Sequence, residues 1–467
     1  MAPFKVIIVG SGLAGNLLAN GLLNHDIEVE VYERLARDAK REGYQIRLGE
    51  NALKGFRACL TTERKQAIIS KFGRSSGKFA GAPIIYDASF KPLLDLNRFP
   101  NYEKSAAISR KILRDLLAEP LDDIGKIFYD KDFKNYSIID PGSDDEKVRV
   151  RFEDGTFSDC DVLIAADGAN SKINPQVGLN NLILIDSHWG FLSKTDLPTH
   201  RYMKGDKELW SAPLGCSAAQ RSMYYCAYLP DKDISRTAAS TAKDGKGAVQ
   251  HDESISSCFF AYGIPVADVP KDIKEWPLDK QWNFVEKDMG EHWCEKYQEI
   301  VKILKGSDLY ISQARASFRP HGNVKWRERV RTELTPEKGH PRVMLVGDAI
   351  HAMMASRGMG GNQSMRDTAV LLPLLVGLND KAMKGGLTTP AIEAACKSYE
   401  AEMIPRAFSW VEKSGGANVF SDDSSTWMGW LKVQWIGLLL GVAYNVQRLG
   451  SLFYQPTYSD DAPEFQG

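Results

Sequence analysis

Phe4-Lys5-Val6-Ile7-Ile8-Val9-Gly10-Ser11-Gly12-Leu13-Ala14-Gly15, followed by Asn16 to Leu23 and by Glu28-Val29-Glu30-Val31-Tyr32-Glu33, is the stretch that decides the fold. The continuous apolar run at 4–9 is short, β-branched and closed by glycine, the pattern of a strand buried on both faces. Leu13 to Leu23 carries Leu and Ala at helical spacing, and 28–33 reads as a second strand. Strand, glycine-rich turn, helix and strand within about 30 residues make a βαβ unit, which requires a parallel sheet. In Gly10-x-Gly12-x-x-Gly15 the first glycine permits a tight turn. The second lets the backbone approach a pyrophosphate, and the third lets the helix pack close to the strand. The helix start, at Leu13 and Ala14, then offers free N–H groups and a partial positive charge to phosphates. Glu33 ends the second strand 18 residues after Gly15. A carboxylate there accepts both ribose hydroxyls of an adenosine and disfavours a 2′-phosphate, so FAD or NAD outranks NADP. Arg34 is a further candidate contact, with a solvated charge as its plainer reading.

Outward from this unit, 43–48 and 79–86 read as extended, with a helix over Asn51–Leu60. Residues 106–119 read as a helix with Ile108, Ile112, Leu113, Leu116 and Leu117 on its apolar face. The turn-rich Asp140-Pro141-Gly142-Ser143 predicts a hairpin from 133–139 to 147–153. Asp161 to Ala166 is another buried strand. Residues 186–330 change character: three aromatic-rich β segments appear at Trp189–Ser193, Ser222–Leu229 and Ser257–Ile264, with a helix over about 280–305. The polar stretch Asp231–Ser254 between the last two reads as a mobile surface loop. A buried strand returns at Arg342–Val346, and helices are expected over 361–375 and 391–418.

The chain has 467 residues, which is two or three domains' worth. Lys plus Arg is 59 and Asp plus Glu is 60, so no basic field exists to hold a nucleic acid. The seven cysteines are odd in number and form no CxxC pair, so no metal site is expected and reduced thiols of a cytoplasmic protein fit best. No secretory signal is evident in the first 15 residues. The segment 427–454 is strongly apolar. Its longest charge-free run, Val433–Gln447, spans 15 residues, short of the ~20 that cross a bilayer. A helix docked on the body is the first expectation. The alternatives are a dimer contact, leaving the chain a monomer or a homodimer, and an interfacial anchor giving peripheral membrane contact.

Two further motifs complete the reading: Asp161-Val-Leu-Ile-Ala-Ala-Asp167-Gly168, and Val343-Met-Leu-Val-Gly347-Asp348-Ala-Ile-His351 followed by Gly358-Met-Gly360-Gly361-Asn362 and Asp367. In order and spacing, the three motifs resemble those of the class A flavoprotein monooxygenases, the p-hydroxybenzoate-hydroxylase-like group. The likeness covers about 1–185 and 310–380. It is close in style to the fungal FAD-dependent monooxygenases of secondary metabolism and to the tetracycline-inactivating enzymes. Ser109-Arg110-x-x-Leu113 and Gly43 to Leu53 are similar to further segments of that family. Four positions depart from its pattern: Met354 and Ala355 stand where two prolines are usual, Met359 interrupts the Gly-Gln-Gly, and Asn174 replaces an arginine.

The resemblance implies an α/β fold: a Rossmann-like FAD-binding domain of the GR2 type, an interleaved β-sheet substrate domain, and a helical C-terminal segment. The FAD-binding parts fall at 1–78, 105–185 and 313–385. Substrate-domain segments fall at 79–104 and 186–312, and the helical segment at 386–467. It implies that Gly10, Gly12, Leu13, Ala14, Gly15, Glu33, Arg34, Arg110, Asp167, Gly347, Asp348, Gly358, Gly360, Gly361 and Asn362 hold FAD. NAD(P)H serves as co-substrate, and one oxygen atom from O₂ is inserted through the flavin C4a-hydroperoxide. A second GxGxxG is absent, as in that family. The substrate is expected to be a hydrophobic aromatic or polycyclic small molecule, with hydroxylation ahead of epoxidation or Baeyer–Villiger-type insertion. A flavin-dependent reductase or dehydrogenase is the alternative motivated by Met354, Ala355 and Met359. Arg47, Arg221 and Tyr224 are the candidate catalytic residues, and Trp189, Lys194 and Tyr225 further candidates for the substrate wall. Alternation on a strand allows at most one of Tyr224 and Tyr225 to face the substrate. His351 is expected to fix its loop.

Overall fold

The computed structural model describes residues 3–39, 45–71, 83–95, 106–228, 255–355, 358–415 and 423–453. The apolar run near the N-terminus becomes β1 (Lys5–Val9), the middle strand of a five-stranded sheet. From edge to edge this sheet runs β19 (Val343–Leu345), β11 (Val162–Ala165), β1, β2 (Glu28–Tyr32) and β7 (Ile127–Phe128). Every pairing is parallel: Val6 lies opposite Val162 and Val29, Leu163 opposite Val343, and Val31 opposite Ile127. Helix α1 (Leu13–Leu23) crosses from β1 to β2 and packs against α3 (Arg110–Asp123). The Asn20 side chain secures the pair by donating to the Leu117 carbonyl at 2.7 Å. The other face carries an antiparallel meander of β8 (Phe133–Ile139), β9 (Lys147–Phe152) and β10 (Phe157–Cys160). There Tyr32 stacks on Phe152 with ring centres 4.3 Å apart.

The second large sheet has seven strands: β17 (Tyr310–Ser312), β13 (His188–Pro198), β16 (Ile255–Pro265), β15 (Arg221–Tyr228), β14 (Leu214–Ala218), β4 (Ile84–Tyr86) and β5 (Pro92–Asp95). Helices α4 (Leu278–His292) and α5 (Glu295–Leu304) bury one of its faces, where Trp282, Met289 and Tyr297 pack with Met223, Tyr225 and Phe260. Two short ladders join the sheets: β3 (Gln45–Leu48) with β6 (Ala106–Ser109), and β12 (Leu182–Leu184) with β18 (Arg315–Ser317). Helix α2 (Glu50–Cys59) leaves β3 and packs on α6 (Gly360–Met383). The approach is so close that a Cβ on Gly55 would lie 2.3 Å from the Met365 carbonyl oxygen. Helices α7 (Thr389–Lys413) and α8 (Trp427–Phe453) follow. The expected fold class, an FAD-type α/β unit with an interleaved β-sheet domain and a helical C-terminal segment, is the one observed.

Three expectations need correction. Residues 106–109 are strand, not helix, because they pair antiparallel with β3, and a tertiary partner outweighs the helix preference of alanine. The helix over 280–305 is two helices. Trp293 is extended and buried with its indole N–H on the Ala218 carbonyl, and the Cys294 N–H goes to Ala88 O rather than into a helical ladder. The docked C-terminal helix forms only in part: α8 packs on β5, but its Trp427, Trp435 and Leu438 are 75%, 56% and 58% exposed. Residues 43–44 and 79–82 of the expected extended segments, and the polar stretch 231–254, lie outside the described residues.

Candidate active site

The glycine-rich turn shows which of its glycines the fold itself demands. Gly10 has φ +110°, and a Cβ there would sit 2.3 Å from the Ala166 carbonyl oxygen. A Cβ on Gly15 would sit 2.1 Å from the Gly10 carbonyl oxygen. Gly12 is different: nothing lies within 4 Å of its would-be Cβ. No packing constraint explains glycine there, and the space in front of it suits a close-approaching ligand. Leu13 and Ala14 are buried at the start of α1. The Glu33 carboxylate is pinned beside the turn, accepting from the Ser11 N–H at 3.1 Å and the Leu35 N–H at 3.0 Å. Arg34 points to solvent. A cavity of about 420 Å³ opens beside Ser11, with Arg37, Lys111 and Arg114 among its lining.

The ends of β11 and β19 meet this turn. One Asp167 carboxylate oxygen accepts from the Lys172 N–H at 2.9 Å, while Oδ1 is buried with no protein partner. Burial pushes this carboxyl above the ordinary range. Gly347 takes φ +60°, where a Cβ would meet the Ser364 hydroxyl at 2.7 Å. Asp348 reaches solvent in the cleft yet is ringed by protein. That surrounding raises its pKa, against the pull of His351 and Arg110. Helix α6 begins here, so the N–H groups of Gly360, Gly361 and Asn362 lie outside its i→i−4 ladder. A Cβ on Gly360 would be 3.7 Å from Asp348 Oδ1. Gly358 turns with φ +62°. The Asn362 side chain is spent on protein backbone: it accepts from the Gly49 N–H and donates to the Arg47 carbonyl, both at 2.8 Å. It thereby fastens the end of β3 to the start of α6.

Behind the cleft lies a buried polar network of which the sequence showed only a part. His351 Nε2 is 2.7 Å from Asp367 Oδ2, which also accepts from the Gly347 N–H at 2.8 Å. Arg406, on α7, donates to the other Asp367 oxygen at 2.8 Å and to Glu402 at 2.9 Å. His351 and Arg406 together outweigh burial and hold the Asp367 carboxyl below its ordinary range. His351 therefore fixes the Gly347-Asp348 turn. Asn174 donates to the Ala349 carbonyl and to Asn181 Oδ1, each at 2.8 Å, and Asn181 donates to the Ile350 carbonyl at 2.8 Å. The asparagine that departs from the family pattern thus clamps the same turn from its far side. Arg406 and Asn181 carry no motif; only the folded chain brings them here.

The substrate wall follows from strand alternation. Leu192, Ala261 and Tyr224 are register partners across β13, β16 and β15, as are Lys194, Phe259 and Cys226. This face points away from α4 and α5. The rings of Tyr224 and Phe259 are 5.9 Å apart. Arg47, at the end of β3, is close enough for its charge to act on the Cys226 thiol, which burial nevertheless pushes up to about 11. Tyr225 is fully buried on the opposite face, and Trp189 packs on that side too. Arg221 is a correction: it shares the helix-side parity of Met223 and Tyr225. Its guanidinium is committed to Asp288 at 3.0 Å and Asp268 at 2.6 Å, so it is not a cleft residue.

Comparison with known proteins agrees with this geometry. A family described as FAD binding domain matches residues 280–407. The FAD-dependent monooxygenase dbaB of Emericella nidulans is 26% identical over 395 residues, covering 82% of this chain and 89% of its own. The structure of Klebsiella pneumoniae HpxO complexed with FAD and uric acid superposes with a TM-score of 0.59 at 17% identity, over 89% of this chain and 87% of that one. Tetracycline destructase Tet(51) does so with a TM-score of 0.55 at 14% identity, over 94% and 98%. The motifs, the fold and these relatives converge on the FAD-dependent monooxygenases, which the chain resembles over most of its length.

Proposed function

We propose that the enzyme couples NAD(P)H oxidation to hydroxylation of a hydrophobic aromatic or polycyclic small molecule: RH + O₂ + NAD(P)H + H⁺ gives ROH + H₂O + NAD(P)⁺. Bound FAD carries the two electrons from the nicotinamide to O₂. The residues present fit that cofactor. Open space fronts Gly12, a pinned carboxylate stands at Glu33, and a buried Asp167 oxygen lacks a protein partner. In this reading Glu33 accepts the adenosine ribose hydroxyls, and the turn at Gly12, Leu13 and Ala14 receives the pyrophosphate. Arg110 and Asp348 hold the groups between pyrophosphate and ring. The free N–H groups at Gly360, Gly361 and Asn362 face the ring edge that becomes anionic on reduction.

The observation that carries the reading is a juxtaposition. The cofactor side of the cleft ends at β3, which carries Arg47 and contacts β16, the strand that carries Phe259 beside Tyr224. A ring held between them lies against apolar and aromatic groups, which exclude water from the oxygen-transfer step. Tyr224 and Arg47 supply the polar contacts that orient it.

The test is spectral, then chemical. The purified chain is expected to be yellow, to bleach with NADPH or NADH without air, and to regain colour when air returns. With a suitable aromatic substrate, one atom of isotope-labelled O₂ should appear in the product for each NAD(P)H consumed. Steady NAD(P)H oxidation with unchanged substrate across a broad aromatic panel would reject hydroxylation.

A further inference from the structure

Helix α8 presents an apolar stripe that nothing in the described structure covers. Trp427, Leu431, Trp435, Leu438, Val442 and Val446 recur at i, i+4, i+8, i+11, i+15 and i+19. At 3.6 residues per turn they fall within about 100° of the helix circumference. They are 75%, 41%, 56%, 58%, 55% and 63% exposed. So long an uncovered stripe on a soluble surface marks an interaction site.

We propose that this stripe is a lipid-binding surface, laid flat in the headgroup–acyl boundary of a membrane. No described helix is long and apolar enough to cross one, which leaves the surface orientation. Three observations select lipid over other occupants. Trp427, Trp430 and Trp435 are all more than half exposed, and indole is the side chain that settles at a membrane interface. Exposed apolar side chains also stand beside the stripe, among them Met428, Trp430 and Leu439. A helix pairing with a second copy of itself in water needs charged flanks beside a narrower seam, whereas 427–453 holds only Lys432 and Arg448 as charges. Of the chain's own segments outside the described residues, 454–467 carries Asp460, Asp461 and Glu464, and 229–254 is mostly polar, so neither matches the stripe.

The attachment of α8 gives this surface a purpose. Asp423 accepts from the Gln220 N–H at 2.8 Å, and the Ser424 N–H donates to the Ser217 carbonyl at 2.9 Å. Both anchors lie on the β14–β15 hairpin, at the end of β14 and in its turn, and α8 also packs on β5. A bilayer against α8 therefore meets the edge of the sheet that walls the cleft, where a lipid-dissolved substrate would arrive. With two cations in the helix and three acids after it, the attraction is hydrophobic rather than electrostatic, and neutral lipid suffices.

The experiment is co-sedimentation of the full FAD-loaded chain with phosphatidylcholine vesicles at low and high salt. Its companion is the triple variant Leu431→Gln, Trp435→Gln, Leu438→Gln. The parent should pellet with vesicles at both salts. The variant should partition more than about tenfold less, with flavin absorbance and Tm unchanged because the three side chains face solvent. A parent that stays in the supernatant overturns the proposal, as does a variant that pellets equally well. A parent dimer that ignores vesicles and becomes a monomer on substitution would assign the stripe to a second copy instead.

Discussion

Asp348 reaches solvent in the cleft while the protein around it disfavours its charge. A carboxyl whose folded pKa is raised subtracts stability once pH climbs past its unfolded value, so at neutral pH the ionised group works against the fold. Asp348→Asn should raise the Tm of the flavin-stripped protein by a degree or two while weakening FAD binding about tenfold, a trade expected where a site is tuned for a ligand. Differential scanning of the stripped protein and flavin titration read the two effects separately. Gly10→Ala is the opposite case. Its Cβ clash and positive φ should cost about 2 kcal/mol or more, lowering Tm and flavin retention together. Such residues are legible in a sequence because their constraint is local: a turn that only glycine can make, an acid at a strand end. Arg406 and Asn181 are not, since their roles depend on Asp367 and on Ile350, far along the chain.

Strand β15 divides its side chains between two layers. Arg221, Met223 and Tyr225 enter the helix-covered face, while Tyr224 and Cys226 enter the cleft face. Alternation alone foretells that neighbours part; it does not say which set meets the helices, and that is why Arg221 was placed in the cleft by sequence. The division predicts different phenotypes from adjacent positions. Tyr224→Ala should raise KM several-fold with Tm nearly unchanged. Asp288→Ala strands the buried Arg221 guanidinium and the Tyr262 hydroxyl, which donates to Asp288 at 2.7 Å. It should cost about 3–5 kcal/mol, moderated by the remaining Asp268 contact, and lower Tm without a selective change in KM. Equal effects of both on KM would contradict the assignment of faces. Residues 106–109 show the same limit of pattern reading: their strand character comes from β3, about 60 residues away in sequence.

At the scale of the whole molecule, one contribution to stability toward acid lies where three segments meet. His340 Nε2 lies 3.5 Å from Glu146, just before β9, and Arg342 and Thr389 bond the same carboxylate. Burial, helped by nearby arginines, pushes His340 from 6.5 down to about 4, against the pull of Glu146. Below pH 6.5 the unfolded chain takes up a proton there that the folded chain refuses, so stability falls as pH drops from about 6.5 toward 4. Glu146 is held below 4.5 by its partners and adds to the loss at the acid end. His340→Gln should flatten the fall in Tm across that window, as a Tm-against-pH series will show. The architecture itself was readable, because the βαβ unit and three motifs each mark a strand end of the parallel sheet. The exposure of α8 was not, since apolar content does not reveal which neighbours a helix will lack. The parallel sheet pairs strands from distant parts of the chain: β11 ends at Ala165, and its partner β19 begins at Val343. At about 5–20 residues per second, a ribosome needs roughly 10–35 s to deliver that partner. Throughout that interval the nascent chain carries an open β edge. Coexpressed chaperones that shield such an edge are expected to raise the yield of folded chain in a foreign host.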